Sequence, residues 1–164
     1  MSYCELTYND DESRDFKRVS DYDLGSFDLV SFWKMGRLDG LDILSLRLQL
    51  EGEGHSDYLA GPLTLPLVSD SFASYLAGWS SALRFSPLPA SVCNPRLNGF
   101  NILECVVPTG PSDPVWVTYG HNPYRIILSE QCARGTRGAQ LEGIGFVCHQ
   151  DLSDFIPPVF STVR

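Results

Sequence analysis

Residues 68–73 read VSDSFA and residues 128–133 read LSEQCA, and each stretch follows an apolar segment that favours a strand. A serine at a helix start accepts a hydrogen bond from a free N–H of the first turn, and an acid beside it faces the positive end of the helix dipole. Further on, each copy has a second β-forming segment that includes an aromatic residue, Phe85 or Phe146. The sequence therefore predicts one strand–helix–strand module that is present twice.

The modules span residues 62–89 and 123–149, and their helices are predicted to begin at Ser69 and Ser129. The apolar side chains of the first helix recur at the spacing of one helical face: Phe72, Tyr75, Leu76 and Trp79. The second helix is rich in glycine and arginine, and each glycine weakens a helix by about 1 kcal/mol relative to alanine. Because a capping serine has a structural role, the repeat indicates a scaffold and not a reaction.

The rest of the chain favours strands. Residues 44–51 alternate leucine with polar residues, which is typical of a strand with one buried face. Residues 3–8, 99–107 and 115–119 predict further strands, whereas the acidic residues 9–26 predict a long loop. Strands and helices do not alternate as a doubly wound sheet requires. We therefore predict an α+β fold in a single domain over residues 1–164, with a largely antiparallel sheet and two short Ser-capped helices.

The charge is concentrated at one end of the chain. The formal net charge is −8, and residues 1–57 contain 13 acidic and 6 basic residues, against 7 and 6 in residues 58–164. An acidic surface disfavours nucleic acid but would steer a basic protein partner. The predicted partner surface in this acidic N-terminal part consists of Asp10, Asp11, Glu12, Asp15, Asp21 and Asp23. The alternative is that these acids form a solvated loop.

The aromatic residues are predicted to divide into two groups. Those on the apolar faces of predicted elements should lie in the core: Phe72, Trp79, Phe85, Phe100 and Phe146. Trp33, Trp116 and Tyr119 lie near predicted loops. Exposed aromatic side chains at such positions often anchor protein interfaces. These three residues therefore complete the predicted partner surface.

The cysteines and the N-terminus bear on the compartment. Five cysteines occupy positions 4, 93, 105, 132 and 148, an odd number without a spacing that indicates pairing. Residues 1–5 have neither the basic region nor the apolar stretch of an export signal, and no stretch approaches the roughly 18 apolar residues of a membrane span. We therefore predict a cytoplasmic protein with reduced thiols, and a buried Cys148.

Motifs that carry chemistry are missing from the sequence. It has no glycine-rich phosphate loop and no nucleophile elbow. Its histidines and cysteines lack the spacing of zinc ligands, and its acids lack that of a calcium loop. Cys148 and His149 are neighbours on a predicted strand, so their side chains point to opposite faces. We predict no catalytic residue, no metal and no cofactor.

Short motifs follow one another in an order that resembles a known family. They are Tyr3 and Tyr8, Trp33 and Gly36, residues 57–59, 68–70, 99–103, 128–130 and 143–146. In this order they resemble immunity protein family eleven of bacterial polymorphic-toxin systems, formerly a domain of unknown function. The resemblance covers roughly residues 3–149 and implies a protein that binds and silences a cognate toxin.

We therefore expect an immunity protein, an antitoxin that neutralises a bacterial toxin by protein–protein association and is not an enzyme. The alternative is a small-ligand-binding domain, or an enzyme whose site is assembled from scattered residues such as Cys132, His121 and Arg125. A convergent pocket with strongly shifted pKa values would favour the alternative. A grooved acidic face with exposed aromatic residues would favour the immunity protein.

Overall fold

The computed structural model describes residues 2–8, 15–59, 65–89, 95–119 and 124–150. Within these ranges the strands are β1 (Tyr3–Tyr8), β2 (Arg18–Asp23), β3 (Arg47–Glu51), β4 (Tyr58–Leu59), β5 (Leu67–Ser69), β6 (Leu83–Pro87), β7 (Phe100–Cys105), β8 (Val115–Thr118), β9 (Arg125–Ser129) and β10 (Ile144–His149). The α-helices are α1 (Leu29–Met35), α2 (Asp70–Ala77) and α3 (Glu130–Gly138).

The strands form three antiparallel sheets, which confirms the predicted α+β class. Two sheets have four strands each, in the orders β10-β1-β9-β8 and β4-β5-β7-β6, and the third is the ribbon β2-β3. Helix α2 packs on β5, β6 and β7, and α3 packs on β1 and β9. Each four-stranded sheet therefore has one helix of its own.

The two four-stranded sheets repeat one topology. In the first, β5 leads through α2 to β6, and β7 lies between them. In the second, β9 leads through α3 to β10, and the N-terminal strand β1 takes the central place. The amide of Ser69 donates to Asp57 O, and that of Ser129 donates to Pro114 O, each at 2.9 Å. The duplicated module is thus confirmed, with one central strand contributed from the far end of the chain.

Both predicted helix starts are confirmed. The Ser69 hydroxyl accepts from the Phe72 amide at 3.0 Å, and the Ser129 hydroxyl accepts from the Cys132 amide at 3.2 Å. Helix α2 ends at Ala77, before Trp79 of its predicted apolar face, and α3 ends at Gly138.

The predicted loop over residues 9–26 is wrong in its second half. Residues 18–23 are strand β2, which pairs with β3 and turns Val19 and Tyr22 inward. The acidic residues of β2 occupy outward positions. Their polar character therefore favoured a loop in the sequence, although the other face of the segment is partly buried. Residues 9–14 lie outside the described ranges.

The core contains most of the predicted aromatic residues. Phe72 and Phe100 are buried. Three more are partly buried against the core: Trp79, Phe85 and Phe146. Helix α1 buries Phe32 and is capped by Asp28, whose carboxylate accepts from the Ser31 amide at 3.0 Å.

The prediction that all cysteines are reduced is wrong for one pair. Cys4 and Cys148 form a disulfide between β1 and β10, and Cys148 is exposed instead of buried. The register places the two residues opposite each other with their Cα atoms 4.0 Å apart, in agreement with a directly facing antiparallel pair. Their sequence separation of 144 gives no local signal. Cys105 and Cys132 are free and buried, and Cys93 lies outside the described residues.

Helices α2 and α3 meet at equivalent positions of the two modules. Tyr75 and Gly135 lie at the same distance from the capping serine of their helices. The Tyr75 hydroxyl donates to Cys132 O at 2.6 Å, and a Cβ on Gly135 would overlap that hydroxyl. Gly135, which the sequence marks only as a weak point of the helix, therefore permits the contact between the modules.

Replacing Gly135 with alanine should lower the free energy of unfolding by about 1–3 kcal/mol, because the added methyl group displaces the Tyr75 hydroxyl. Gly138→Ala is the matched control: nothing lies within 4 Å of its added Cβ, so it should raise stability by up to about 1 kcal/mol. Urea denaturation measures both. Tyr75→Phe combined with Gly135→Ala should be less destabilised than the sum of the single changes. A Gly135→Ala protein as stable as the Gly138→Ala protein would contradict this packing.

Candidate binding groove

An open groove with a volume of about 830 Å³ lies between α3 and β10. Its floor is formed by Ile144, Phe146 and the disulfide between Cys4 and Cys148. Phe16 closes it on the side of the N-terminal part. Most of the residues that line the groove therefore belong to the second module, and Ser2, Cys4 and Phe16 come from the N-terminal part.

We attribute the groove to the small side chains of α3. Leu76 of α2 and Thr136 of α3 occupy equivalent positions, as do Trp79 and Ala139 beyond the helix ends. Leu76 is fully buried and Trp79 packs against the core, so large side chains fill the space beside α2. Threonine and alanine have less volume, and Thr136 lines the groove. Space that is filled in one module thus stays open in the other.

Charged residues line the rim of the groove. Arg134 forms an ion pair with Glu130 one turn earlier on α3. Arg137 lies in the last turn, where the negative end of the helix dipole favours a cation, and it forms no ion pair with a described residue. Glu142 also lines the rim. Among the described residues, the groove thus combines an apolar floor with a cation, Arg137, that no described carboxylate pairs.

Buried Asp57 holds the turn at the end of the groove. Its amide donates to Glu142 O at 2.7 Å, and its Oδ2 accepts from the Glu142 amide at 2.6 Å. Its Oδ1 accepts from the Ser69 hydroxyl at 2.5 Å. Asp57 is 2% exposed, so these bonds lie away from water. One carboxylate therefore ties the helix cap of the first module to the turn before β10 in the second.

The group of Ser69, Asp57 and His55 does not have the geometry of a catalytic triad. His55 Nε2 lies 3.1 Å from Asp57 Oδ1, so the carboxylate stands between the other two side chains. A nucleophilic serine needs the histidine on its hydroxyl. The Ser69 hydroxyl instead donates to Asp57 and accepts from the Phe72 amide. These residues act as a structural clamp.

A second buried acid holds the N-terminal part to the first module. Glu104 on β7 is 0% exposed, and Arg84 on β6 donates to both of its oxygens at 3.0 and 2.7 Å. Ser86 and the Leu38 amide also donate to it. Burial alone would raise the pKa of Glu104, but these hydrogen bonds and the Arg84 charge lower the pKa below its ordinary value. This pair is structural as well, since it lies away from the groove.

The predicted acidic partner residues are only partly described. Asp10, Asp11 and Glu12 lie outside the described residues. Asp15 accepts from the Glu53 amide at 3.1 Å and lies 3.9 Å from Arg18. Asp21 and Asp23 are exposed on β2 and accept from backbone amides nearby. Asp15, Asp21 and Asp23 are therefore at the surface, and none of these three lines the groove.

The three predicted aromatic anchors do not line the groove. The ring of Tyr119 lies against Gly36, which ends the helix that carries Trp33. Tyr119 also stacks on buried Tyr124 with ring centroids 6.4 Å apart, and burial raises the pKa of Tyr119. Trp116 lies three residues before Tyr119, on β8, where it is paired with Ile127 of β9. All three are half-buried and lie outside the groove.

The scattered residues of the alternative site are not brought together. Cys132 is fully buried on α3, and burial raises the pKa of its thiol to about 12. Arg125 forms two hydrogen bonds with Glu5, at 2.8 and 2.6 Å. Glu5 points away from the face on which its neighbour Cys4 lines the groove beside α3. His121 lies outside the described residues.

No family model matches the sequence, and neither a curated protein nor a solved structure is significantly similar to it. The resemblance to immunity protein family eleven therefore stays a prediction that depends on the motifs alone. In the part of the chain that the structure describes, no three potential metal ligands come together. No helix in those ranges has the length and apolar character needed to cross a bilayer.

The groove was not found by sequence reasoning. The available signal was a comparison of the two modules, which shows small residues and two arginines in α3 where α2 has leucine, serine and alanine. No local sequence pattern places Phe16 or Cys148 at the groove, because contacts between distant segments of the chain bring them there.

Proposed function

We propose that this protein binds another protein, and that the partner is a bacterial toxin that it neutralises by stoichiometric association in the cytoplasm. The resemblance to immunity proteins suggests the class of partner. The groove beside α3 is the observation that carries the proposal. It is open along one side and has an apolar floor with a charged rim, which is the form of a pocket that receives an anchor side chain at an interface.

The occupant we propose is a toxin segment that presents an apolar side chain next to a carboxylate. The apolar side chain would contact Phe146 and Ile144, which lie on the groove floor. The carboxylate would face Arg137, because this arginine has no ion pair with the described residues, whereas Arg134 is paired with Glu130. Charge complementarity at the rim thus orients the segment.

The acids of β2 would act at longer range. Asp21 and Asp23 are exposed and accept only from backbone amides among the described residues. Together with the net charge of −8, they would attract a toxin with a basic surface. Such charges raise the rate of association more than they add affinity.

Arg137→Glu should weaken toxin binding by about tenfold or more, since the reversed charge repels the proposed carboxylate. The measurement is association kinetics with the cognate toxin, once it is identified, and survival of cells that express it. Arg37→Glu is the matched control, because Arg37 is an exposed arginine away from the groove and should bind as the wild type does. Asp21→Lys with Asp23→Lys should slow association at low salt and less at high salt.

Equal binding by the Arg137→Glu and Arg37→Glu proteins would remove the groove from the interface. Absence of both a stable complex and protection would contradict the proposed function itself.

A small ligand is the second candidate, because about 830 Å³ falls within the usual range of ligand pockets, roughly 300–1,000 Å³. Three groups whose pKa values are strongly raised by burial, Tyr58, Tyr124 and Cys132, do not line this groove, which argues against a reaction there. NMR chemical-shift changes that occur on addition of a small ligand and are confined to α3 and β10 would support this candidate.

A further inference from the structure

The disulfide is accessible from one side. Cys4 is 3% exposed, whereas Cys148 is exposed, and both sulfur-bearing residues line the groove. A thiol that enters the groove therefore meets Cys148 first. Cys105 and Cys132 are buried and do not line the groove.

The disulfide also lies where its loss would weaken the attachment of β10 to the sheet. Strand β10 is at the edge of its sheet, and its only neighbour in that sheet among the described strands is β1. Cys148 is next to the end of β10, and its partner Cys4 is near the start of β1. The bond joins residues separated by 144 positions, so it restricts the unfolded chain strongly. The same strand carries Ile144 and Phe146 of the groove floor.

We propose that Cys148 is a thiol-exchange site, and that reduction of its disulfide with Cys4 by a small thiol loosens β10 and changes the shape of the groove. The thiolate attacks Sγ of Cys148, the bond to Cys4 breaks, and Cys4 leaves as a thiolate that takes up a proton. A second thiol then attacks the mixed disulfide, which releases Cys148 and the oxidised small-molecule disulfide. The small thiol supplies both electrons.

The rim favours a thiol that carries carboxylates. Arg137 shares the groove with Cys148 and forms no ion pair with a described residue, whereas Arg134 is paired with Glu130, so the charge of Arg137 would attract an anionic reductant. After correction for the thiolate fraction, glutathione should react several-fold faster than the cationic thiol cysteamine. Replacing Arg137 with glutamine should remove this preference. A preference that persists in the glutamine variant would assign it to another part of the surface.

Alkylation with iodoacetamide followed by mass spectrometry tests the site. In the native protein without reductant, Cys4 and Cys148 should stay unlabelled. After treatment with glutathione both should be labelled, while buried Cys105 and Cys132 serve as internal controls that stay unlabelled. Labelling of Cys148 before any reductant is added would overturn the proposal.

Hydrogen exchange and thermal melting test the consequence. Reduction should increase exchange over residues 144–149 but not over β5 and β7, and should lower Tm by about 10 °C or more. The Cys4→Ser, Cys148→Ser protein should melt like the reduced wild type and should not respond to thiols. Unchanged exchange in β10 after complete reduction would refute the switch. This outcome does not depend on the toxin, so it leaves the proposed function to its own test.

Discussion

Replacing Arg84 with methionine should lower the free energy of unfolding by about 3–5 kcal/mol at neutral pH, because it leaves the buried charge of Glu104 without its partner. Glu104 is 0% exposed, and Arg84 binds both of its carboxylate oxygens. Methionine keeps the apolar stem and removes the charge, so the loss reports on the ion pair. Urea denaturation at constant ionic strength measures it.

The matched control for this change is Arg37→Met. Arg37 lies 3.4 Å from Asp39 in a pair whose side chains are 48% and 61% exposed. An exposed pair of this kind contributes about 0–1 kcal/mol. If Arg84→Met and Arg37→Met lowered the free energy of unfolding equally, the burial of Glu104 would have no energetic consequence.

The pH dependence of the Arg84→Met effect has a definite sign. In the wild type the pKa of Glu104 is lowered, so its stabilising contribution is present above the unfolded value of about 4.3 and is lost as the pH falls through the folded value. Without Arg84, burial would raise the pKa of Glu104, and protonation would relieve the buried charge. The difference between wild type and variant should therefore shrink as the pH is lowered from 7 to about 4.

Asp57→Ala should cost about 3–5 kcal/mol, because it leaves one buried and one part-buried donor without their acceptor, at about 1–3 kcal/mol each. These donors are the Ser69 hydroxyl and the Glu142 amide. Thermal and urea unfolding measure the loss. Hydrogen exchange should also increase at the turn before β10, since Asp57 holds that turn.

Asp42→Ala is the control for the Asp57 variant. Asp42 is exposed and its side chain makes no capping hydrogen bond, so the change should stay within about 0.5 kcal/mol. Ser69→Ala should lie between the two, at about 1–2 kcal/mol, because it removes the helix cap and one donor to Asp57 but keeps the Glu142 amide on that carboxylate. If Asp57→Ala were no worse than Ser69→Ala, the link between the modules would contribute nothing.

The sequence by itself determined the elements whose signals are local. The serine caps of α2 and α3 depend on residues within one helical turn, and both occur where the sequence places them. The alternation of leucine and polar residues located β3, although the strand begins only at Arg47. The α+β class and the duplication follow from the same short-range patterns. Net charge is likewise fixed by composition, whatever the fold.

Tertiary structure decided what depends on distant partners. Strand β1 lies between β9 and β10, and only this pairing brings Cys4 opposite Cys148. The acidic residues of β2 predicted a loop. The segment forms a strand because burial of Val19 and Tyr22 on pairing with β3 outweighs its polar character. The groove exists because α3, with its small side chains, packs on β1 and β9 and leaves open space toward β10. No local pattern encodes that placement, since it results from hydrogen bonds and packing between segments that are far apart in the chain.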